Sequence, residues 1–456
     1  MEFNIGTHEQ TPFRLLLDTG SSNDAVIEEC CSDRAPRVYS CAASETCVPT
    51  STQVNVQYAD TGLSGYIVED TFASSALGEL ERRPFVAITK EDGFYRPDFD
   101  GILGAAYDTL TTSTGRKPPT FVTDLVNRNI VQDRFGLLLC GTLQTLVQGQ
   151  DPDNRHAGQW VLGGLDGPNG EQYYQGSIFY TPIVQEKWYV VTVTDLALGD
   201  TSLGLPCHEY NTPRAIVDSG STNLVLPTGV YNVFMRELKK VMLKHMPEFN
   251  LKFLDDTRSC CGVAECDPRS SSSAMLALPP ISIRLAHAGT SGGQTKEHVT
   301  ITIPPEYYWR PERNGEFECR AFGISEGNNF VLGTVFMDGL YTYHDRKEQR
   351  MGFATANNCP NDVVSTKTVT ISTTEQDWCE CLSREQRWGT LVSSFWPQTG
   401  KCFYWPWWMY VVVASGVITV IATFVILWVV CCRSRQRRRA PSLLKVPLES
   451  PAYEPL

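Results

Sequence analysis

Leu15-Leu16-Leu17-Asp18-Thr19-Gly20-Ser21-Ser22-Asn23 returns two hundred residues later as Ala215-Ile216-Val217-Asp218-Ser219-Gly220-Ser221-Thr222-Asn223. A lone Asp-Thr-Gly is an ordinary turn tripeptide and usually marks a solvated loop. Two copies of a six-residue pattern, each behind three apolar residues, carry much more information. The apolar run reads as a buried strand, and the Asp stands at its end in a tight turn that Gly20 or Gly220 permits. Hydroxyls at Thr19, Ser21, Ser219 and Ser221 are placed to hold the two carboxylates by hydrogen bonds. Downstream, Gly101-Ile102-Leu103-Gly104 is echoed by Phe330-Val331-Leu332-Gly333. The same two signals in the same order predict two related lobes; the period is far longer than that of a solenoid.

Between and around these motifs the pattern is mostly β. Short alternating or apolar runs bounded by Gly, Pro, Asn and Asp predict strands at Phe13–Leu17, Gln53–Tyr58, Phe135–Leu139, Trp188–Val193 and Ile281–Leu285. Apolar residues at helical spacing predict a helix over Tyr231–His245, and a second is expected over Phe121–Arg128. Ser270–Ala274 reads as a small polar loop.

Of 456 residues, Met409–Val430 form an uncharged apolar run of 22, enough to span a bilayer at about 1.5 Å per residue. A core helix of that length would show a polar face. Trp405, Trp407, Trp408 and Tyr410 sit at one end and Arg433, Arg435, Arg437, Arg438 and Arg439 at the other. An aromatic belt and a basic flank in this order put residues 433–456 in the cytosol and the body outside or in a lumen. The segment from Arg433 holds five Arg, one Lys and two Glu, a net of +4, so the remainder carries −16 of the chain's total of −12. An acidic body of that size argues against nucleic acid as a partner. The basic tail suits the anionic face of a lipid bilayer.

Fourteen of the sixteen Cys precede the apolar run. No CxxC pair or HExxH occurs, so neither zinc nor another metal is expected, and scattered Cys in even number fit disulfides in an oxidising compartment. No signal peptide is visible in the first 25 residues. A leader and a propeptide are therefore expected upstream of Met1. The division expected is an N-terminal lobe over residues 1–180, a C-terminal lobe over 181–359, a disulfide-containing stem over 360–406, a transmembrane helix over 407–432 and a tail over 433–456. No Asn-x-Ser/Thr triplet occurs, so N-glycosylation is not expected.

If the lobes face one another, Asp18 and Asp218 meet. Two adjacent carboxylates cannot both ionise, so the pair shares a proton. One carboxylate can then take a proton from water while the other gives one to a carbonyl oxygen, with no cofactor and no covalent intermediate. The sequence does not say which Asp is the base.

These motifs resemble the pepsin-like aspartic proteases over roughly residues 3–358, and more densely their membrane-anchored branch, the β-secretases. Gly101-Ile102-Leu103-Gly104, Leu139-Cys140-Gly141, Cys207-His208-Glu209-Tyr210-Asn211, Ile216-Val217-Asp218-Ser219-Gly220 and Met351-Gly352-Phe353-Ala354 carry the second likeness. The resemblance implies a bilobal, mostly β acid protease fold with the active site between the lobes and polypeptide substrates, membrane proteins among them. It implies a mobile flap over Val56–Gly65, with Tyr58 in the flap position and Gly62 and Gly65 allowing movement. It also implies disulfides Cys140–Cys359, Cys207–Cys379 and Cys260 (or a neighbour) with Cys319. Cys30, Cys31, Cys41 and Cys47 have no counterpart in the vertebrate β-secretases and read as staples of an insertion, in a connectivity left open. Two departures bear on specificity: Val225 stands where the vertebrate enzymes have Arg, and Leu63 where they have Trp. In the tail, Leu443-Leu444 and Tyr453-Glu454-Pro455-Leu456 resemble strings read by endocytic adaptors, which implies traffic among plasma membrane, Golgi and endosomes. Cys431 and Cys432 stand at the membrane edge, where S-palmitoylation is common.

Two other readings compete. A protease-like protein that binds peptides without cutting would be expected to have lost an Asp, the flap Tyr or a motif Gly, and none is lost. A receptor that signals through its tail would need more than 24 residues without a domain.

Overall fold

The computed structural model describes the chain except for residues 8–11, 29–36, 59–60, 94–98, 142–157, 248–250, 255–258, 261–276, 288–296, 315–316, 360–363, 374–377, 383–406 and 438–456. It divides into two units, Met1–Cys402 and Phe403–Leu456.

The first unit is built of β-sheets with few helices. A seven-stranded sheet runs Glu2–Ile5, Phe13–Asp18, Gly101–Gly104, Ala25–Ile27, Gly78–Asp92, Gly62–Ser74, Val48–Gln57. A six-stranded sheet runs Gln185–Glu186, Tyr189–Val191, Ala215–Val217, Phe330–Leu332, Leu224–Pro227, Ile324–Gly327. The repeat seen in the sequence is a repeat of topology. In the first sheet Phe13–Asp18 lies parallel to Gly101–Gly104, which lies antiparallel to Ala25–Ile27, which lies parallel to Gly78–Asp92. In the second, Ala215–Val217 lies parallel to Phe330–Leu332, which lies antiparallel to Leu224–Pro227, which lies parallel to Ile324–Gly327. Each Asp loop thus leaves one strand and re-enters on the far side of the strand between. The crossing is tight. A Cβ on Gly104 would lie 2.6 Å from the Ser22 carbonyl carbon, and one on Gly333 would lie 2.3 Å from the Asn223 carbonyl oxygen. Only glycine lets the backbones approach this closely.

A five-stranded sheet draws on both halves of the chain, in the order Tyr174–Pro182, Arg350–Ala356, Leu340–Asp345, Phe135–Leu139, Gly158–Leu162. Its side chains join the main core, where Phe135, Tyr189 and His344 pack ring against ring. The expected helices form at Phe121–Asn127 and Thr228–His245. Thr120 caps the first by accepting the Thr123 N–H. The run expected over Trp188–Val193 divides into two short strands, Tyr189–Val191 and Val193–Leu198.

Cys140 joins Cys359 as expected, and Cys41 joins Cys47. Cys207 joins Cys381 and not Cys379, which corrects the pairing expected from the family. Both candidates lie in one 3-10 turn, Trp378–Cys381. Positions two apart in such a turn point in different directions, and it is Cys381, a buried residue, that meets Cys207, with Cα atoms 4.8 Å apart across the bridge. Cys260 stands opposite Cys319 in the antiparallel register of a small sheet; their side chains, and Cys30 and Cys31, lie outside the described residues.

The second unit is a helix, Trp407–Arg437. Its segment Val411–Arg433 has a mean hydropathy of 2.5 and buries no side chains against protein. At about 1.5 Å per residue its 23 residues exceed the roughly 30 Å of a hydrocarbon core, so the helix is long and apolar enough for a single transmembrane span. Leu443, Leu444 and Tyr453 lie outside the described residues.

Candidate active site

Each Asp loop is first organised by itself. The Gly20 N–H donates to Asp18 Oδ1 at 2.8 Å and Ser21 Oγ donates to Asp18 Oδ2 at 2.5 Å. The Gly220 N–H donates to Asp218 Oδ1 at 2.9 Å and Ser221 Oγ to Asp218 Oδ2 at 2.6 Å. Both carboxylates are thereby locked in rotation by the residues two and three positions on.

The Thr19 and Ser219 hydroxyls, expected on the carboxylates, instead lock the two loops to each other. Thr19 Oγ1 donates to the Val217 carbonyl and accepts the Ser219 N–H. Ser219 Oγ donates to the Leu17 carbonyl and accepts the Thr19 N–H. These four bonds, at 2.7–3.1 Å, engage both hydroxyls and both amide N–H groups of the two residues across the lobe junction. The glycines complete the contact. A Cβ on Gly20 would lie 2.4 Å from Asp218 Oδ1, and one on Gly220 would lie 2.3 Å from Asp18 Oδ1. Any larger residue would drive the carboxylates apart.

Asp18 and Asp218 are both buried and neighbour one another in one cleft. Burial first, and the neighbouring Asp218 charge second, push the Asp18 carboxyl up to about 8. The pair therefore enters the acidic range with one proton between two carboxylates.

Above them opens a cleft of about 990 Å³, with Asp18 and Asp218 among its lining residues. Tyr58 reaches into it from the hairpin of Val48–Gln57 and Gly62–Ser74 and lies close to Ser21 and Asp18, so that burial first and the Asp18 charge second keep its hydroxyl protonated. The hairpin tip closes by Tyr58 N–H to Thr61 O at 2.8 Å and Gln57 Nε2 to Thr61 O at 3.0 Å. Gly62 pairs with Gln57 in this hairpin; Gly65 has a packing reason as well, since a Cβ there would lie 2.1 Å from the Ala87 carbonyl oxygen. Leu63 is buried in the small cluster under the hairpin. Val225 lines the cleft, and Gly327 makes room for it.

Several contributors carried no sequence signal. Trp188 donates its indole N–H to the Gly20 carbonyl at 3.0 Å and stacks on Arg214. Tyr189 donates to the Ala105 carbonyl at 2.6 Å, a further tie between the lobes. Asp24 and Arg83 form a buried pair behind the first loop. Nothing in the spacing of these residues marks them; only the sheet order brings them to the site.

The profile of the eukaryotic aspartyl protease family matches residues 1–356. The chain is 31% identical over 382 residues to a beta-secretase of Strongylocentrotus purpuratus, which covers 81% of this chain and 68% of the relative. It is 30% identical over 373 residues to cathepsin D of Chionodraco hamatus and 29% identical over 380 residues to cathepsin D of Homo sapiens; each match covers 78% of this chain and 80% of the relative. Paired Asp loops locked across two related sheets, together with this match over most of the length, show that the chain belongs to the eukaryotic aspartyl protease family and is an aspartic endopeptidase with a bilobal pepsin fold.

Proposed function

We propose that Asp18 and Asp218 are the catalytic pair, that a water held between them attacks the scissile carbonyl, and that the substrates are membrane proteins. The observation that carries this is the pair of neighbouring buried carboxylates in one cleft, each held by a Gly N–H and a Ser hydroxyl. One carboxylate takes a proton from the water as it attacks. The other donates the shared proton to the carbonyl oxygen, so charge never accumulates on the tetrahedral intermediate. Tyr58 covers the reacting groups and limits the water that reaches them.

The membrane reading is supported by the apolar helix after the second lobe. A body tethered to a bilayer meets other tethered chains at high effective concentration. The orientation that fits the aromatic and basic flanks puts the body outside or in a lumen, with Leu443-Leu444 and Tyr453 offered to cytosolic adaptors. Cycling between surface, Golgi and endosome would bring the pair to acidic pH.

The test uses the full chain in detergent micelles or vesicles. Asp18→Asn and Asp218→Asn should each lower turnover of a fluorogenic peptide by roughly 10²–10⁴-fold, while circular dichroism stays unchanged. A variant that keeps more than a tenth of the activity would remove that Asp from the pair. For the membrane reading, a reporter is offered in tethered and soluble forms carrying the same cleavage sequence. Equal rates on both would argue against it.

A further inference from the structure

After the strand Arg350–Ala356 the chain adds one more, Thr368–Thr373, at the edge of a sheet beside Glu297–Ile303. Just before it stands Lys367, only 1% exposed. A lysine is almost never buried to this degree unless its ammonium finds partners that replace the lost water. Its Nζ donates to the Val335 carbonyl at 2.7 Å and to the Phe336 carbonyl at 2.8 Å, and lies over the Tyr307 ring, 4.2 Å from the centroid. Those carbonyls belong to the short helix Thr334–Met337. The Gly339 N–H, which would serve Val335 in a longer helix, donates to the Leu139 carbonyl instead. Burial lowers the Lys367 ammonium to about 7, against the pull of Asp338 and Glu306. At acidic pH the amine is therefore charged, and its hydrogen bonds are the stronger for it.

The other end of the same helix holds the second Asp loop. The Thr334 N–H donates to the Ser221 carbonyl at 2.8 Å, and the Val335 N–H to the Thr222 carbonyl at 3.0 Å. Val335 thus meets the loop through its N–H and Lys367 through its carbonyl. The first lobe does the same with other parts. Past Gly104, the Ala105 N–H donates to the Asp18 carbonyl at 2.8 Å and the Ala106 N–H to the Ser21 carbonyl at 2.9 Å. The Ala106 carbonyl in turn accepts from Arg346 Nη1 at 3.2 Å. Ala106 and Val335 each stand two residues beyond the crossing glycine, and each carbonyl receives a buried cation from a remote part of the chain.

We propose that Lys367 is a positioning residue for Asp218, holding the helix Thr334–Met337 where its first two amides fix the second Asp loop. This rests on the proposed catalytic pair. Lys367 does not line the cleft. It acts through a chain of hydrogen bonds: ammonium to Val335 carbonyl, Val335 amide to Thr222 carbonyl, and, one residue back, the Ser221 hydroxyl to Asp218 Oδ2.

The experiment measures Kd of the full chain at about pH 5 for two peptides whose scissile amide is replaced by a carbon–carbon link. One carries a hydroxyl on the carbon that stands for the carbonyl carbon, and the other carries hydrogen there. In the proposed mechanism that hydroxyl takes the place of the attacking water, so the ratio of the two Kd values reads the geometry of the carboxylate pair. Unfolded chain weakens both affinities alike and leaves the ratio unchanged. Lys367→Met should cut the ratio by about tenfold and lower kcat by about as much, with KM within about twofold. Lys367→Gln, which keeps a neutral donor, should fall between. Val369→Ala, which opens a cavity in the strand that follows, should lower Tm and leave the ratio alone. A wild-type ratio in Lys367→Met, whatever its Tm, would make Lys367 a structural residue and overturn the proposal. Where Lys367→Met yields too little folded protein, Lys367→Gln is read in its place by the same criterion. A ratio that falls as far in Val369→Ala would overturn it too, since any loosening of this edge would then suffice. Failure of the catalytic reading shows separately, as a wild-type ratio near one and cleavage that survives Asp18→Asn.

Discussion

The loop at Asp18 and the loop at Asp218 make the same hydrogen bonds to their own carboxylates and the same exchange across the lobe junction. Behind them they diverge. The residue after Asn23 is Asp24, which accepts the Gly104 N–H at 2.8 Å and pairs with a fully buried Arg83. Arg83 also meets Asp124 at 3.1 Å, Asp124 meets Arg128 at 2.9 Å, and the Arg83 guanidinium lies over Phe121. The residue after Asn223 is Leu224, buried among apolar neighbours, with its N–H on the Gly323 carbonyl. Two copies of one loop thus rest on two kinds of foundation, one ionic and one apolar. Loop geometry is fixed by the hydroxyls, amides and glycines at the front, and what lies behind has only to fill space and leave no group unpaired.

The sharpest way to break this comparison is to remove one partner. Arg83→Met leaves Asp24 and Asp124 buried without it and should cost about 3–5 kcal/mol. Asp24→Asn/Arg83→Met, which keeps an acceptor for the Gly104 N–H, should recover a large part of that loss, because an apolar replacement of a buried pair is often near neutral. Leu224→Ala should cost about 2–5 kcal/mol as a plain cavity, with no second substitution that restores it except a larger apolar side chain. Urea denaturation of the three variants decides between them. A double variant as unstable as Arg83→Met would mean the charges matter for more than their mutual pairing.

A second prediction tests the symmetric part. Thr19→Val removes one donor and one acceptor from the junction, and so does Ser219→Ala. Each should cost about 1–3 kcal/mol, since buried backbone groups are left unpaired. Their double-mutant cycle should show coupling of about 0.5 kcal/mol or more, because the two side chains bond each other's amides. Purely additive losses would mean that the junction is held elsewhere, by Tyr189 and Trp188.

How much of this could be read from the chain depends on how far each interaction reaches. The Asp loops, the strands on which they sit and the apolar helix are local patterns, and Asp18, Asp218, Tyr58 and Val225 were placed in one cleft by repeat and resemblance alone. The buried pair was not, because Asp24 and Arg83 are 59 positions apart and charged residues in a strand ordinarily read as solvated. Trp188 and Arg214 escaped for the same reason: their meeting with Gly20 depends on how the two sheets face each other. The Cys207 bridge failed on a finer scale, since spacing cannot say which of Cys379 and Cys381 a single turn presents.

A third prediction uses pH. The Asp18 carboxyl is raised to about 8 from an unfolded value near 3.8, so between those limits the folded chain holds a proton that the unfolded chain has lost. The stability this gives is fully present below the unfolded value and is lost as pH rises through the folded one. Buried His344 and His298 work the other way, lowered by burial to about 3 and about 4. What they contribute is present above about 6.5 and lost as pH falls through those values. Asp18→Asn removes only the first contribution. It should therefore be more stable than the wild type at pH 8, by roughly a few degrees in Tm, and lose most of that advantage by pH 4. A constant Tm difference across the range would show that the pair's burial carries no proton linkage.

The smallest effect expected concerns a position where the second loop gives a side chain to the cleft and the first does not. Seven residues after Asp18 stands Ala25, fully buried under the first sheet; seven after Asp218 stands Val225, half-buried and lining the cleft. Val225 sits between Ser325 and Val331 in the sheet, and its Cγ1 takes the space a Cβ on Gly327 would fill. The wall is apolar and closely packed, so an acidic side chain brought against it loses water without gaining a donor. The position facing Val225 should accordingly show no Glu preference in the wild type. Val225→Arg has only the cleft to extend into and should introduce such a preference there by about threefold to tenfold. Preferences at the other positions should stay within about twofold of their wild-type values, since distant sites are close to additive. Peptide profiling of the single variant reads every position at once. No Glu preference in Val225→Arg, or one already present at the Val225 position in the wild type, would mean that this wall does not meet a substrate side chain.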